Sequence, residues 1–288
     1  MSDGKMNTIV GAHSGAAAHF GERRSAKSIA FGTWFVAEHR LRTMRAYLGS
    51  IIMGSVFNPV IHLFALGVGI GSYIDSSSGG LGLGGLSYLT FVGPALLTSA
   101  ALTVAFEETS FPVMGGFKWT REFWAMNATP ISGRQVVNGV LLAAGFRIIF
   151  TVVVFWCFLT AFGASPSTLG FLAMPAAIFA GLAFGSVIMT IASRLEEDDG
   201  WFAIINRLVI APMFLFSGTF FPLERLPLGL QWIGWISPLW HGTQLGRIAT
   251  YGMEEPLWLL ASHILFIAIM LAVGLGLSWT SFARRLAK

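Results

Sequence analysis

Six apolar runs limit this 288-residue chain to a membrane-spanning fold. A helix needs about 20 apolar residues to cross the hydrocarbon of a bilayer, and each run is at least that long. The runs cover residues 48–72, 86–106, 136–162, 169–192, 201–221 and 257–282. Only 11% of the residues are charged, against roughly 25% in soluble domains. The sequence therefore predicts an all-α integral membrane protein with six transmembrane helices.

Lysine and arginine set the expected orientation. Fourteen of the eighteen lie in residues 1–47, in the segments after the second and fourth runs, or in the C-terminal tail. Basic residues concentrate on the cytoplasmic side of a membrane. We therefore expect a multi-pass protein of the plasma (inner) membrane with both termini cytoplasmic. Residues 1–28 are polar and lack the apolar stretch of a signal peptide, so they are expected to form a flexible cytoplasmic tail.

Residues 27–47 precede the first run and carry both aromatic and basic side chains. On a helix, Phe31, Trp34 and Phe35 fall near one face, and His39 and Arg40 fall on the opposite face. This pattern is typical of an amphipathic interfacial helix that lies on the membrane surface. A helix of a soluble subdomain is the alternative, but the apolar run that follows at once favours the membrane surface.

Residues 222–247 lie between the fifth and sixth runs and combine chain-breakers with tryptophans. Three prolines interrupt the segment, three tryptophans lie within it, and Glu224 and Arg225 add charge. Such a sequence is typical of chain that enters the membrane from one side and turns back. We expect a re-entrant helical stretch of one or two short helices in the outer leaflet.

The segment after the second run, residues 109–135, contains a candidate helix at 118–128. It is expected to expose Phe123, Trp124 and Met126 beside charged neighbours. Exposed aromatic side chains beside charges on a short helix are typical of a docking surface for a partner protein. A helix that lies on lipid without a partner is the alternative, and these residues alone leave both open.

Three motifs carry a resemblance to a known family. They are Ala128-Thr129-Pro130-Ile131-Ser132, Ser217-Gly218-Thr219-Phe220-Phe221-Pro222 and Ser237-Pro238-Leu239-Trp240-His241. With the interfacial helix and the six spans, they resemble the permease subunit of ABC-2-type exporters, in the daunorubicin-resistance and NodJ-like branch. The resemblance covers about residues 29–285, so residues 29–288 are expected to form one ABC-2-type transmembrane domain.

The resemblance implies partners. The helix at 118–128 would be a coupling helix that docks into separate ABC ATPase subunits, and the interfacial helix would also touch them. A second permease chain, identical or homologous, would pair with this one, and membrane lipid is a further partner. The residues implied for ATPase coupling are Lys118, Arg121, Glu122, Phe123, Trp124 and Met126. No phosphate-binding Gly-x-x-x-x-Gly-Lys-Ser/Thr loop is present, so ATP and Mg would bind the ATPase and this chain would hold no cofactor.

The resemblance also implies a transport route lined by spans one, two and five. The candidates for its lining are Phe57, Phe91, Phe214, Phe216, Phe220, Phe221 and Arg207. Packing against lipid or the core is the alternative for each phenylalanine. For Arg207 the alternative is a side chain that extends to the membrane surface.

Arg147 lies deep in the third run, where a charge is costly and is therefore a functional candidate. We expect it to form a structural ion pair with Glu107, near the end of the second run. Direct contact of Arg147 with cargo is the alternative.

The combined prediction is the permease subunit of an ATP-driven exporter for a hydrophobic or amphipathic compound, such as a drug-like natural product, a lipid or a lipid-linked glycan. The chain is then a transport subunit and not an enzyme, and its basic residues do not indicate nucleic acid. An ion-coupled secondary transporter is one alternative; it predicts ionisable residues clustered near the midplane and internal repeats. An intramembrane transferase that uses His62, His241 or His263 is another. No spacing of His, Cys and acidic residues indicates a metal site.

Overall fold

The computed structural model describes residues 26, 29–77, 85–197 and 199–287, so nearly all of the predicted tail 1–28 lies outside the described residues. Within these ranges the regular elements are all helices, as the sequence predicts. Helix α1 covers residues 29–44. The others are α2 (Leu48–His62), α3 (Gly71–Ser77), α4 (Tyr88–Thr109), α5 (Phe111–Lys118), α6 (Glu122–Asn127), α7 (Gly133–Ala161), α8 (Ala173–Arg194), α9 (Trp201–Ile205), α10 (Ala211–Phe216), α11 (Leu228–Trp235), α12 (Pro238–Tyr251) and α13 (Leu257–Leu286).

Among the described residues, five helical segments are long and apolar enough to cross a membrane. They are Ile29–Ser76, Tyr88–Lys118, Gly133–Ala161, Gly170–Arg194 and Leu257–Leu286. The predicted fifth run, 201–221, forms a shorter apolar helix that ends at Phe216, and its length is roughly 24 Å at about 1.5 Å per residue. The expected end at residue 221 is wrong because Gly218 turns the chain with a φ of +70°.

The first apolar segment includes the residues expected on the membrane surface. Only a 3-10 turn at Arg45–Tyr47 separates α1 from α2, so Ile29–Ser76 forms one long helical segment. Pro59 stays within α2, and a π-helical segment follows at Leu63–Ile70. A second π-helical segment, Asn206–Ile210, joins α9 to α10. Such widened turns inside α-helices are frequent at functional sites.

The second apolar segment extends further than predicted and changes the coupling region. Helix α5 continues almost directly from α4 and ends at Lys118. The chain then reverses at Trp119–Arg121, where Arg121 adopts a left-handed φ of +55°. Helix α6 begins only at Glu122. A continuous helix over 118–128 is therefore wrong: Lys118 lies on α5, Arg121 lies in the reversal, and the remaining predicted coupling residues lie on α6.

Helix α4 forms the centre of the bundle. It packs against α7, α8 and α12, and α8 also packs against α12 and α13. About 72% of the most apolar part of Tyr88–Lys118 is buried, compared with 18% of Ile29–Ser76 and 17% of Leu257–Leu286. The first and last apolar segments therefore leave most of their surface for lipid or for another chain.

Glycines on α8 and α12 allow both helices to approach α4 closely. A Cβ atom on Gly181 of α8 would lie 3.0 Å from the carbonyl oxygen of Ala101 on α4. A Cβ atom on Gly242 of α12 would lie 2.6 Å from Cγ2 of Thr98, also on α4. A larger residue at either glycine would force the helices apart.

We expect Gly181→Ala to lower the free energy of unfolding by about 1–3 kcal/mol, because the contacting atom belongs to the backbone of α4. Gly276→Ala on α13 is the matched control, since no heavy atom lies within 4 Å of its added Cβ. Alanine favours the helix there, so the change should stay within about 1 kcal/mol. Thermal unfolding of the purified chain in detergent measures both; equal melting temperatures would contradict the close packing of α8 on α4.

Candidate functional site

A polar cavity of about 560 Å³ lies between α2, α4, α7 and the Asn206–Ile210 segment. The polar side chains that line it are Ser50, Ser55, Asn58, His62, Ser99, Thr103, Glu107, Arg147, Thr151 and Asn206. Apolar side chains complete the wall, among them Leu96, Phe155, Ile210 and Phe214. Polar groups on otherwise apolar helices face a bundle interior or a cavity because lipid cannot satisfy their hydrogen bonds. A cavity with both kinds of wall can hold an amphipathic molecule.

One of the two π-helical segments, Asn206–Ile210, borders this cavity through Asn206 and Ile210. The other, Leu63–Ile70, begins directly after His62, the last lining residue of α2. Irregular helix therefore lies at the cavity wall in the fifth run and next to the wall in the first run.

Arg147 meets two carboxylates at the wall of the cavity. Its guanidinium contacts Glu107 Oε2 at 2.5 Å and Glu108 Oε1 at 2.5 Å. Glu107 and Arg147 both line the cavity. The side chain of Glu108 is only 10% exposed. The contact between Arg147 and Glu107 is the ion pair expected from the sequence. Glu108 is a second acidic partner of Arg147, so the three residues form an ion cluster between α4 and α7.

The structure brings only some of the expected route residues together. Phe214 lines the cavity, and its ring lies 5.1 Å from that of Phe220. Phe57 is exposed on α2, whereas Phe91 is buried on α4 with the guanidinium carbon of Arg247 3.8 Å from its ring centre. The remaining candidates, which do not line the cavity, are Phe216, Phe221 and Arg207. These residues do not form one continuous aromatic surface within this chain.

The corner between α5 and α6 differs from the docking surface expected from sequence. Phe123 was expected to be exposed, which is wrong: it is fully buried against the rings of Phe117 and Phe282. Trp124 is half-buried and donates a hydrogen bond from its indole to the carbonyl of Phe117 at 3.2 Å. The exposed aromatic side chain of the corner is Trp119, at 60%. The α5–α6 corner, residues 118–130, also exposes Arg121, Ala125 and residues 127–130.

Ion pairs fix the α5–α6 corner to its neighbours. Glu122 contacts Arg40 of α1 at 3.3 Å and His39 at 3.2 Å. Arg40 is 8% exposed and also reaches the carbonyl of Glu108 at the end of α4. Lys118 pairs with Glu197, in the segment before α9, at 2.8 Å. Glu122 and Lys118 thus hold the corner to other parts of the chain, and α1 connects it to the helix that lines the cavity.

The predicted re-entrant stretch, residues 222–247, holds a 3-10 turn at Leu223–Arg225, α11 and most of α12. Helix α12 lies against α4 and α8. Its Arg247 is 2% exposed and donates to the carbonyl of Gly218 at 2.7 Å and to that of Phe91 at 3.3 Å. Burial lowers the pKa of Arg247 to about 10, so the side chain is still charged at neutral pH. Arg247 therefore ties the end of α10 to α4.

Comparison with known proteins decides the family. The model of the family described as ABC-2 type transporter matches residues 34–251, which is most of the chain. The chain belongs to the ABC-2 type transporter family. It is therefore a multi-pass membrane protein of the transport-subunit type, and the resemblance drawn from the sequence motifs is confirmed.

Curated relatives of this ABC-2 protein are named Nodulation protein J. The one from Rhizobium leguminosarum bv. viciae is 29% identical over 251 residues, covering 85% of this chain and 90% of the relative. That from Rhizobium meliloti (strain 1021) is 28% identical, covering 82% and 86%. That from Bradyrhizobium diazoefficiens is 26% identical, covering 68% and 72%. The similarity extends over most of each protein.

Several residues of this ABC-2 protein that the structure brings together were not found from sequence. Glu108 could have been found, because it directly follows Glu107 near the end of the second run. Nothing in the sequence singled out Arg247, and His241 and His263 were treated as separate residues, although their Nδ1 atoms lie 2.7 Å apart. The spacing of residues in the sequence does not indicate which side chains of different helices will be in contact. Among the described residues, no three His, Cys, Asp or Glu side chains are placed to hold a metal ion.

Proposed function

We propose that this chain is the membrane-spanning permease subunit of an ATP-driven ABC exporter. The observation that carries the proposal is the polar cavity, because it joins an amphipathic binding surface to the helix that carries the α5–α6 corner. Membership of the ABC-2 family and similarity to Nodulation protein J support a transport role. The cargo would be a hydrophobic or amphipathic compound: a drug-like natural product, a lipid or a lipid-linked glycan.

The proposed topology has six spans in the plasma (inner) membrane, with both termini cytoplasmic. The short helix Trp201–Phe216 would be the fifth span, completed by residues 217–221 as they turn back. The distribution of lysine and arginine supports this orientation. The segment with α11 and α12 then belongs to the outer side as a re-entrant gate, and the α5–α6 corner belongs to the cytoplasmic side.

The proposed partner at the α5–α6 corner is a separate ABC ATPase, which would bind ATP and Mg. Trp119 and Arg121 offer an exposed aromatic and a positive charge there, which suits an interface hot spot. Movement of the corner would reach α1 through the contact between Glu122 and Arg40. Because α1 continues into α2, that movement would change the wall of the cavity.

A second permease chain, identical or homologous, would pack beside the first apolar segment. The side chains of Phe57, Ile61 and Phe64 are 52%, 56% and 61% exposed along this segment. The cavity lies beside the same helix, so pairing would enclose it between two chains. Lipid would cover the apolar surface that remains.

We expect Thr103→Trp to reduce export at least tenfold, because the indole would fill part of the cavity from α4. ATP-dependent uptake of a fluorescent amphiphile into inside-out membrane vesicles measures this. Thr280→Trp on α13 is the matched control, since this threonine is exposed and lies outside the cavity lining. The ATPase should still bind both variants. Export that is unchanged by Thr103→Trp would contradict a route through the cavity.

An ion-coupled secondary transporter is the second candidate, and the ion cluster of Arg147, Glu107 and Glu108 favours it more than the sequence alone did. Ionisable residues that face a membrane cavity are typical of proton and ion pathways. The two functions differ in their energy source. Transport that continues without ATP and follows an ion gradient would favour the second candidate.

A further inference from the structure

Three ionisable side chains form a buried hydrogen-bonded chain where α12 meets α13. Nδ1 of His241 lies 2.7 Å from Nδ1 of His263, and Nε2 of His263 lies 3.1 Å from Oε2 of Glu255. His263 is fully buried, and His241 is 5% exposed. The ring of Phe266 stacks on His241, and Trp240 packs edge-on against both imidazoles. We call His241, His263 and Glu255 the His–Glu cluster.

The hydrogen bonds fix the number of protons that the His–Glu cluster can carry. Nε2 of His241 lies 3.0 Å from the carbonyl oxygen of Trp235, which can only accept, so this nitrogen carries a proton. One proton must also lie between the two Nδ1 atoms, and one between His263 and Glu255. A fourth proton would set two N–H groups against each other across 2.7 Å. With only two protons, one of the contacts loses its donor.

We propose that the His–Glu cluster is a proton-binding site that holds α12 against α13 only while it carries three protons. An imidazole in water has an ordinary pKa of about 6.5, and a glutamate carboxyl group one of about 4.3. The parted state then carries close to two protons well above pH 6.5 and close to four well below it. Contact between the helices is therefore strongest near pH 6.5 and weakens in both directions.

The charged groups around the His–Glu cluster do not alter this pH dependence. Burial lowers the pKa of His241 to about 4. While α12 and α13 are in contact, the cluster therefore binds no fourth proton above that pH. The other titratable and charged groups that face the cluster or the adjoining Arg247 are Glu224 from the 3-10 turn, Tyr88 from α4, and Tyr251 with Arg247 from α12 itself. Their ordinary pKa values lie near 4.3 or at about 10 and above. Glutamate, tyrosine and arginine side chains ordinarily change charge far from pH 6.5.

The His–Glu cluster also connects to the end of the fifth run. Gln244 donates to Glu255 at 2.9 Å and accepts from Arg247 at 3.0 Å. Arg247 in turn holds the carbonyl of Gly218. Release of α12 would therefore loosen the turn that follows α10. An effect of this release on export rests on the proposed function, whereas the proton-binding site does not.

Amide hydrogen exchange on the chain alone, in lipid nanodiscs, tests the proposal. After correction for intrinsic exchange, we expect protection of the α12 amides to be greatest near pH 6.5. It should fall about 25-fold at pH 8.5 and at least 25-fold at pH 4.5. The amides of α8, which contains no histidine or carboxylate, provide the internal control. A flat or monotonic profile for α12 in the natural protein would overturn the proposal without any variant.

Two variants separate the two sides of this profile. In His241→Asn the amide oxygen still accepts from His263 but gains no proton, so the acid-side loss should disappear and the alkaline-side loss should remain. In Glu255→Gln the added N–H replaces the shared proton, so the alkaline-side loss should disappear and the acid-side loss should remain. If both variants keep both losses, the His–Glu cluster is not the site. Failure of export in other assays would leave this result unaffected.

Discussion

Arg147→Met should destabilise the protein by about 3 kcal/mol, which corresponds to a melting temperature roughly 10 °C lower. The guanidinium is the shared partner of Glu107 and Glu108, and the side chain of Glu108 is only 10% exposed. Without Arg147, these two adjacent carboxylates of α4 would lose the positive charge that they share. Thermal unfolding and the yield of monodisperse protein in detergent measure this effect.

The matched control neutralises the carboxylates together with the arginine. The triple variant Arg147→Met, Glu107→Gln, Glu108→Gln leaves no unpaired charge, so most of the lost stability should return. This recovery separates a structural ion cluster from a cargo-binding arginine. If Arg147→Met folds and assembles like the natural protein and only the choice of cargo changes, the structural role is wrong.

Phe123→Ala should affect folding stability and Trp119→Ala should affect binding of the ATPase, although both aromatic side chains lie in the α5–α6 corner. Phe123 is fully buried between Phe117 and Phe282, so its truncation should cost about 3–5 kcal/mol of folding stability. Trp119 is 60% exposed, so its truncation should leave the melting temperature nearly unchanged. It should instead weaken binding of the ATPase by about 2 kcal/mol, or roughly thirtyfold.

Thermal unfolding of each purified variant and its affinity for the ATPase separate these two effects. Asn127→Ala, an exposed and small change on the same corner, is the control for handling of the variant proteins. If Trp119→Ala binds the ATPase normally while Phe123→Ala loses binding without losing stability, Phe123 would be the docking residue and the corner would rearrange in the complex.

Hydropathy was sufficient to predict the main helices but not the residues at which they end. The helical class follows from the composition and length of the apolar runs, because backbone N–H and C=O groups inside hydrocarbon must be hydrogen-bonded within the protein. The fifth run ends early because the turn at Gly218 is held by Arg247, a contact between residues 29 apart in sequence. The reversal at Trp119–Arg121 depends on the left-handed backbone of Arg121, which the residue type does not indicate.

The candidate site could likewise be predicted only in part from the sequence. Arg147 and Glu107 were recognisable because charges in apolar runs need partners. Phe123 was expected to be exposed on a helix over 118–128. It lies instead on the shorter α6, and the ring that covers it, Phe282, lies near the other end of the chain. The His–Glu cluster joins residues of two helices and of the segment between them. Such contacts arise from the packing of α12 on α13, which no local pattern encodes.

Reconstitution of the purified chain with the proposed ABC ATPase tests whether this chain is an ATP-driven permease. The measurement is vectorial movement of a fluorescent amphiphile in proteoliposomes, with ATP supplied on the side of the ATPase and ion gradients abolished by ionophores. We expect the ATPase to copurify with the chain and transport to require hydrolysable ATP. Transport by the chain alone, driven by an ion gradient and unaffected by ATP, would rule out an ATP-driven permease.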